Sequence, residues 1–473
     1  MLGLRTKTFI FLLSFLFLLG GGLSFLWPRI EIGVAYKAKI LCSGVFVSKR
    51  QPESILTEDL GADDLSNLKV ISTHIDHSQK IVSASFLGII KKAAKYKPLR
   101  GCSLIYDRDI PTVNIRENFD PKATSEQKQE EKPRVHIPFS KDKTRHSISN
   151  LVDQNRLEAV LEWGFSEPHP TYLRRTRAVV ILYQGQIIAE RYAPGISKTT
   201  PLLGWSMSKS VMNTMVGILI YQGKLTLDDP VPVDEWQKPG DLRAQITLKH
   251  LLHMTSGLEF NEDNTEILND VNTMLLDRPD MAGFAAKKEL AVPVGSSWSY
   301  SSGTTNIIAG ILRKIIGEND YLHFLYRHFF EPLDMLRAVM ETDPSGTLVG
   351  ASFMYASARD WAKIGQLFLQ DGVWDGHRIL PEGWVKFSTT PVPQSPHGQY
   401  GAHFWLRIPR EFQGGNFSSI LPPDAYHAVG HEGQFLSIIP SRELVVVRLG
   451  FTRYAEAWNH AEFLNMILDA LHP

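Results

Sequence analysis

The chain has 473 residues, too many for one small domain, and its 43% hydrophobic share is enough to bury a large core. Its 50 lysines and arginines balance its 50 aspartates and glutamates. With no overall field to draw it onto nucleic acid or an acidic surface, a nucleic-acid partner is not expected.

Residues 1–29 open the chain with Arg5 and Lys7, followed by an almost wholly apolar run from Phe9 to Trp27. About 19 residues at a rise of 1.5 Å suffice to cross a bilayer. The Leu-Ser-Phe-Leu-Trp that closes the run offers no small-x-small cleavage site, so it reads as an uncleaved membrane anchor, with a cleaved signal as the alternative. Arg5 and Lys7 then keep the short N-terminus in the cytoplasm and place the rest outside, periplasmic or extracellular.

Residues 30–119 alternate short apolar runs (Lys39 to Val47, Lys80 to Ile90, Cys102 to Tyr106) with polar stretches, the pattern of a small, partly β accessory module. Cys42 and Cys102 are far from any metal-ligand spacing and, in an exported chain, read as one disulfide; two separate buried thiols are the alternative. Residues 120–150 are rich in Lys, Glu and Gln and nearly free of large apolar groups, which predicts a charged linker.

Residues 151–473 carry the main domain. Ala178 to Tyr183 and Gln186 to Tyr192 are β-branched runs on either side of Gln184-Gly185, a hairpin signal. Near the other end, Gln434 to Ile439 and Glu443 to Phe451 repeat the pattern, and Ala455 to Leu471 has helical spacing. The middle is mostly helical: Lys209 to Gln222, Leu248 to His253, Thr305 to Ile316 and Ala358 to Leu369. Strands from both ends around a helical middle predict an α+β fold, one antiparallel sheet completed by both ends and flanked by helices, with an inserted helical domain.

Chemistry concentrates at Gly204-Trp205-Ser206-Met207-Ser208-Lys209-Ser210. A serine three residues before a lysine on a starting helix puts both side chains on one face, and the helix N-terminus favours a developing oxyanion. Ser-x-x-Lys alone is common by chance, and a capping serine beside a solvated lysine is its ordinary reading. His250-x-x-His253 lacks an acidic third ligand, so no metal is expected. The Gly204-to-Ser208 stretch misses Gly-x-Ser-x-Gly by its last residue.

Further pieces follow in order: Gly223 to Val231, Ile246 to Leu258 (ITLKHLLHMTSGL), Tyr300-Ser301-Ser302, and His431-Glu432-Gly433 leading into a strand. Together with the first motif they resemble the serine β-lactamase and DD-peptidase superfamily, in its class C-like branch of esterases and 6-aminohexanoate-dimer hydrolase-like amidases. The resemblance covers about Ala178 to the C-terminus, and the module before the linker resembles an accessory segment of longer members. It implies that Ser206 attacks a carbonyl while Lys209 and Tyr300 handle the proton. It further implies an oxyanion hole from the backbone N–H groups of Ser206 and Gln434, and no cofactor.

Two departures bear on substrate. Ser302 stands where the family has Asn, and His431-Glu432 where it has Lys-Thr ahead of Gly433, which removes a fixed positive charge and brings a carboxylate that either points to the place of a β-lactam carboxylate or is turned away by strand alternation. The expectation is a serine hydrolase acting on a carboxylic ester or small amide. A DD-peptidase or β-lactamase, and a non-catalytic membrane-tethered sensor of the same fold, are the alternatives.

Overall fold

A computed structural model describes residues 4–106, 149–263, 265–413 and 421–472, and the side chains from residue 24 on. The linker expected at 120–150 lies outside the described residues except for its last two positions.

Helix α1, Leu4–Phe46, passes through Pro28 without ending. Strands β1 (Ser72–Asp76), β2 (Ile81–Phe86), β3 (Ile90–Lys97) and β4 (Gly101–Leu104) form an antiparallel meander in the order β1-β2-β3-β4. The buried side chains Val34, Ala35, Ala38, Leu41, Cys42 and Val45 recur at helical spacing and turn the second half of α1 into the core under that meander. The apolar run Lys39 to Val47 is therefore the end of a helix and not a strand. Among the described residues no helix is long and apolar enough to cross a membrane, and the side chains of most of the apolar run lie outside the description.

Cys42 on α1 is bonded to Cys102 on β4 across a sequence separation of 60. Closing a loop of that length removes denatured-state entropy worth about 4 kcal/mol. Non-reducing mass analysis is expected to find no free thiol, and Cys42→Ser to lower Tm by several degrees. An unchanged Tm would mean that α1 and β4 are held by packing alone. The same corner is pinned to the main domain by Glu341, a buried carboxylate that pairs with Lys39 Nζ and accepts from Ser43 Oγ (2.9 Å) and the Cys102 N–H (2.7 Å).

In the main domain, α2 (Gln154–Phe165) precedes the hairpin β5 (Thr176–Tyr183) and β6 (Gln186–Tyr192). The hairpin turns at Gln184 (φ 49) and Gly185 (φ 73), the positive-φ pair of a two-residue turn. After β7 (Leu202–Leu203) come α3 (Ser208–Tyr221), α4 (Leu248–Leu252), α5 (Asp270–Asp277), α6 (Met281–Ala286) and α7 (Ser302–Ile316). Then follow β8 (Val339–Met340), β9 (Met354–Ala356), α8 (Ala358–Leu369) and the small hairpin β10 (Val373–Trp374) and β11 (His377–Arg378). Strands β12 (Tyr426–Gly430), β13 (Gln434–Ile439) and β14 (Leu444–Gly450) and helix α9 (His460–Asp469) close the chain.

The principal sheet has the order β12-β13-β14-β5-β6 and is antiparallel throughout, so both ends of the domain complete it as expected. Strand alternation divides its side chains between two cores. Val180, Leu182, Val445 and Val447 join the core that contains α8, whereas Val179, Ile181, Leu444 and Val446 join that of α2 and α9. Both faces are covered, which is why β5 and β14 read as continuous apolar runs. The C-terminal helix begins at His460 with Asn459 as its cap, later than the expected Ala455, because residues 455–457 form a separate short turn.

His427 on β12 is buried and shares Ser437 Oγ with His460 (2.8 Å to each). Burial pushes the His427 pKa down to about 3 from the usual 6.5. Below about pH 6.5 the unfolded chain binds a proton that the folded one refuses, so this histidine's stabilising contribution is present above 6.5 and lost as pH falls towards 3. His427→Asn, which keeps an amide near the place of Nδ1, is expected to show a smaller fall in Tm between pH 7.5 and pH 5 than the wild type. An equal fall in both would show that His427 carries none of the acid sensitivity.

Candidate active site

Ser206 lies in the turn Trp205–Met207 that leads into α3, and Lys209 is the second residue of that helix. Lys209 Nζ donates to Ser206 Oγ at 3.0 Å, to Ser302 Oγ at 3.0 Å and to the Ala351 carbonyl at 3.1 Å. Ser208 ties the turn in place, donating to the Trp205 carbonyl (2.7 Å) and accepting from the Met354 N–H (3.1 Å). Tyr300 precedes α7, which Ser301 caps through the Thr304 N–H, and the Lys209 ammonium sits 4.8 Å from the centre of its ring. Ser206, Lys209, Tyr300 and Ser302 are thus brought together from two helix starts 93 residues apart.

Desolvation lowers the Lys209 pKa to about 8, against the opposing pull of Glu262. The Tyr300 pKa is raised by burial and by Glu262, with a hydrogen bond to Ser206 opposing, so Tyr300 stays a neutral phenol. Lys209 is accordingly the group that can reach its basic form near neutral pH, and Tyr300 is poised to donate. Glu262, whose side chain accepts from the Ser302 N–H, was not found from sequence: it lies in the polar stretch Glu259 to Asp263, which looks like any solvated loop. Rings of Trp298, Tyr400 and Trp405 surround Tyr300 at 5.6–6.5 Å.

His431, Glu432 and Gly433 form a tight turn between β12 and β13. The His431 side chain is half exposed, and its ring meets that of Trp205 edge-on at 5.6 Å. Glu432 is 4% exposed. Its carboxylate accepts from Trp205 Nε1 (2.8 Å) and from Arg453 Nη1 (2.7 Å), so it is a buried, neutralised partner and not a free charge facing substrate. The sequence leaves open whether Glu432 points into the cleft, and the structure holds its carboxylate between Trp205 and Arg453. Neither strand face decides where Glu432 points, because it adopts φ 62 in a turn.

Gly433 (φ 75) has no room for a side chain, since a Cβ would lie 2.6 Å from Arg448 Nη1. Arg448, fully buried on β14, donates to the Gly433 carbonyl at 2.7 Å and so fixes the strand entry. The Gln434 side chain is spent on Gly450, accepting from its N–H (2.9 Å) and donating to its carbonyl (2.8 Å), which leaves only its backbone to serve a substrate.

A sheet completed by both ends of the domain, with Ser-x-x-Lys at the foot of α3 meeting a tyrosine before α7, defines the class: the serine β-lactamase and penicillin-binding superfamily. More narrowly, a model of the Beta-lactamase family matches residues 166–460, and the chain belongs to that family. It is 26% identical over 301 residues to 6-aminohexanoate-dimer hydrolase of Paenarthrobacter ureafaciens, covering 58% of this chain and 72% of that protein. Among solved structures, a putative 6-aminohexanoate-dimer hydrolase from Bacillus anthracis is similar at 23% identity with a TM-score of 0.52, over 63% of this chain and 79% of that one. A family VIII carboxylesterase is similar at 14% identity with a TM-score of 0.52, over 67% and 96%. Both structural likenesses are likenesses of fold.

Proposed function

We propose that the protein is a serine hydrolase that forms an acyl-enzyme on Ser206 and releases it to water, acting outside the cytoplasm on a carboxylic ester or small amide. The observation that carries this is Lys209 Nζ at 3.0 Å from Ser206 Oγ, in a setting that lowers the lysine pKa to about 8. Lys209 takes the Ser206 proton as the hydroxyl attacks the acyl carbon, and Tyr300 gives its proton to the leaving group and regains one from the Lys209 ammonium. A water that gives a proton to Lys209 then attacks the acyl group and releases Ser206, which takes that proton back from Lys209. The backbone N–H groups of Ser206 and Gln434 hold the oxyanion. Relatives named as a 6-aminohexanoate-dimer hydrolase and a carboxylesterase support amide and ester substrates.

Residues 1–29 serve as a membrane anchor in this reading, with Arg5 and Lys7 on the cytoplasmic side. Fractionation of the native chain tests it, and mature protein that starts after about Trp27 would replace the anchor by a cleaved signal.

With Glu432 neutralised by Arg453 and a histidine at 431 in place of a lysine, the site offers little to hold a substrate carboxylate. Uncharged esters or amides are expected to exceed a chromogenic cephalosporin in kcat/KM by about tenfold or more, the worth of one charge-assisted hydrogen bond. A cephalosporin as the best substrate would make this a β-lactamase or DD-peptidase. A protein that no ester, amide or β-lactam acylates would be the non-catalytic sensor.

A further inference from the structure

The turn that carries Ser206 is strained, and the residues that hold it lead out of the main domain. Trp205 has φ 48 and Glu432 has φ 62, left-handed conformations that bulky residues seldom adopt and that persist only where the surroundings fix them. The two are joined to each other by the Trp205 Nε1 to Glu432 Oε2 hydrogen bond at 2.8 Å. Glu432 Oε1 accepts from Arg453 Nη1 at 2.7 Å. Arg453 then grips Asp64 in a bidentate contact through one edge of its guanidinium, Nε to Oδ1 at 2.8 Å and Nη2 to Oδ2 at 2.5 Å. Asp64 belongs to the N-terminal module, in the short helix Asp63–Val70 before β1.

Each link has a physical reason to be tight. The carboxylate of Glu432 is buried and cannot stay there uncompensated, and a bidentate arginine fork tolerates little change of direction. Arg453 Nη1 also reaches His431 Nε2 at 3.3 Å, so the same cation steadies the turn before β13. A cavity of about 30 Å³ lies between Tyr36 of α1, Arg177, Trp205, Glu432 and Gln434. It is too small for a substrate, which leaves positioning as the role of this polar interior. Two neighbouring pairs, Asp59 with Arg177 and Asp63 with Arg175, fasten the module to the same face, and neither forms a hydrogen bond to Trp205 or Glu432.

We propose that Asp64, Arg453 and Glu432 are positioning residues for the nucleophile: through them the N-terminal module sets the Trp205 indole, and with it the turn that presents Ser206. The module is then a working part of the active site and not a spacer between membrane and enzyme. The proposal rests on Ser206 being the nucleophile.

The test is a double-mutant cycle on the full chain, read by the rate of Ser206 labelling with a fluorophosphonate, by kcat and KM for an uncharged chromogenic ester, and by Tm. Asp64→Ala is expected to slow labelling about five- to tenfold, the usual scale of coupling within one hydrogen-bonded network, by lowering kcat while KM holds. In a Trp205→Phe background, which lacks the indole N–H, Asp64→Ala should add almost nothing. Arg453→Lys should recover part of what Arg453→Ala loses. Asp63→Asn, which takes the charge out of the adjacent ion pair with Arg175, should lower Tm and leave the labelling rate unchanged. Equal losses from Asp64→Ala in both backgrounds, or equal slowing by Asp63→Asn, would show that the module contributes stability alone and overturn the relay. A wild type that is not labelled at Ser206 would overturn the nucleophile itself, and the relay with it.

Discussion

Ser206→Ala is expected to abolish covalent labelling and to lower ester hydrolysis by on the order of ten-thousandfold or more, while Tm stays within a few degrees of the wild type. The loss is large because no other group can take the acyl chain: Ser208 is buried and spends its hydroxyl on Trp205 and Met354, and Ser302 is the buried partner of Lys209. The fold should survive because one half-buried hydroxyl is removed from a turn whose other bonds, from Met207 N–H to Gly204 O (3.2 Å) and from Ser208 to Trp205, stay in place. Labelling that persists in the variant would move the nucleophile elsewhere. A variant that fails to fold would be recognised by its Tm, and Ser206→Cys, which keeps a nucleophile of similar size, should then retain labelling by a thiol-reactive probe.

The parts of this molecule legible in the sequence are those set by local periodicity. The Ser206–Lys209 contact follows from one helical turn, and the hairpins β5–β6 and β13–β14 follow from β-branched runs broken by turn residues. What escaped depends on contacts between distant segments. The run Lys39 to Val47 has strand length taken alone, and the helical spacing that marks it as the end of α1 begins earlier, at Val34, Ala35 and Ala38. Strand β12 has two histidines and a glycine in the sequence around it, and only its pairing with β13 marks it as a strand. Arg453 meets Asp64 across 389 residues, a partnership no spacing can announce. The direction of Glu432, which the sequence leaves open, is decided by a left-handed turn and by the cation waiting for it.

Activity should rise with pH through an apparent pKa of about 8, the value to which desolvation lowers Lys209. The protonated ammonium has no lone pair and can only donate to Ser206 Oγ, as it does in this structure, so the population able to accept the serine proton falls tenfold for each pH unit below that value. Lys209→Ala should cost on the order of a hundredfold or more in kcat/KM and remove this rising limb. Glu262 provides the internal check on the assignment. Its carboxylate lies close enough to favour the charged form of Lys209 and hold its pKa up, and it also fixes the N-terminus of α7 by accepting from the Ser302 N–H. Glu262→Gln keeps an acceptor for that N–H while removing the charge, so the rising limb should move to lower pH, and at pH 7 a larger fraction of the enzyme should be basic. The measurement is kcat/KM for an uncharged ester from pH 5.5 to pH 9.5 in the wild type and both variants. A limb that stays in place in Glu262→Gln, or moves to higher pH, would mean that the group titrating near pH 8 is not Lys209.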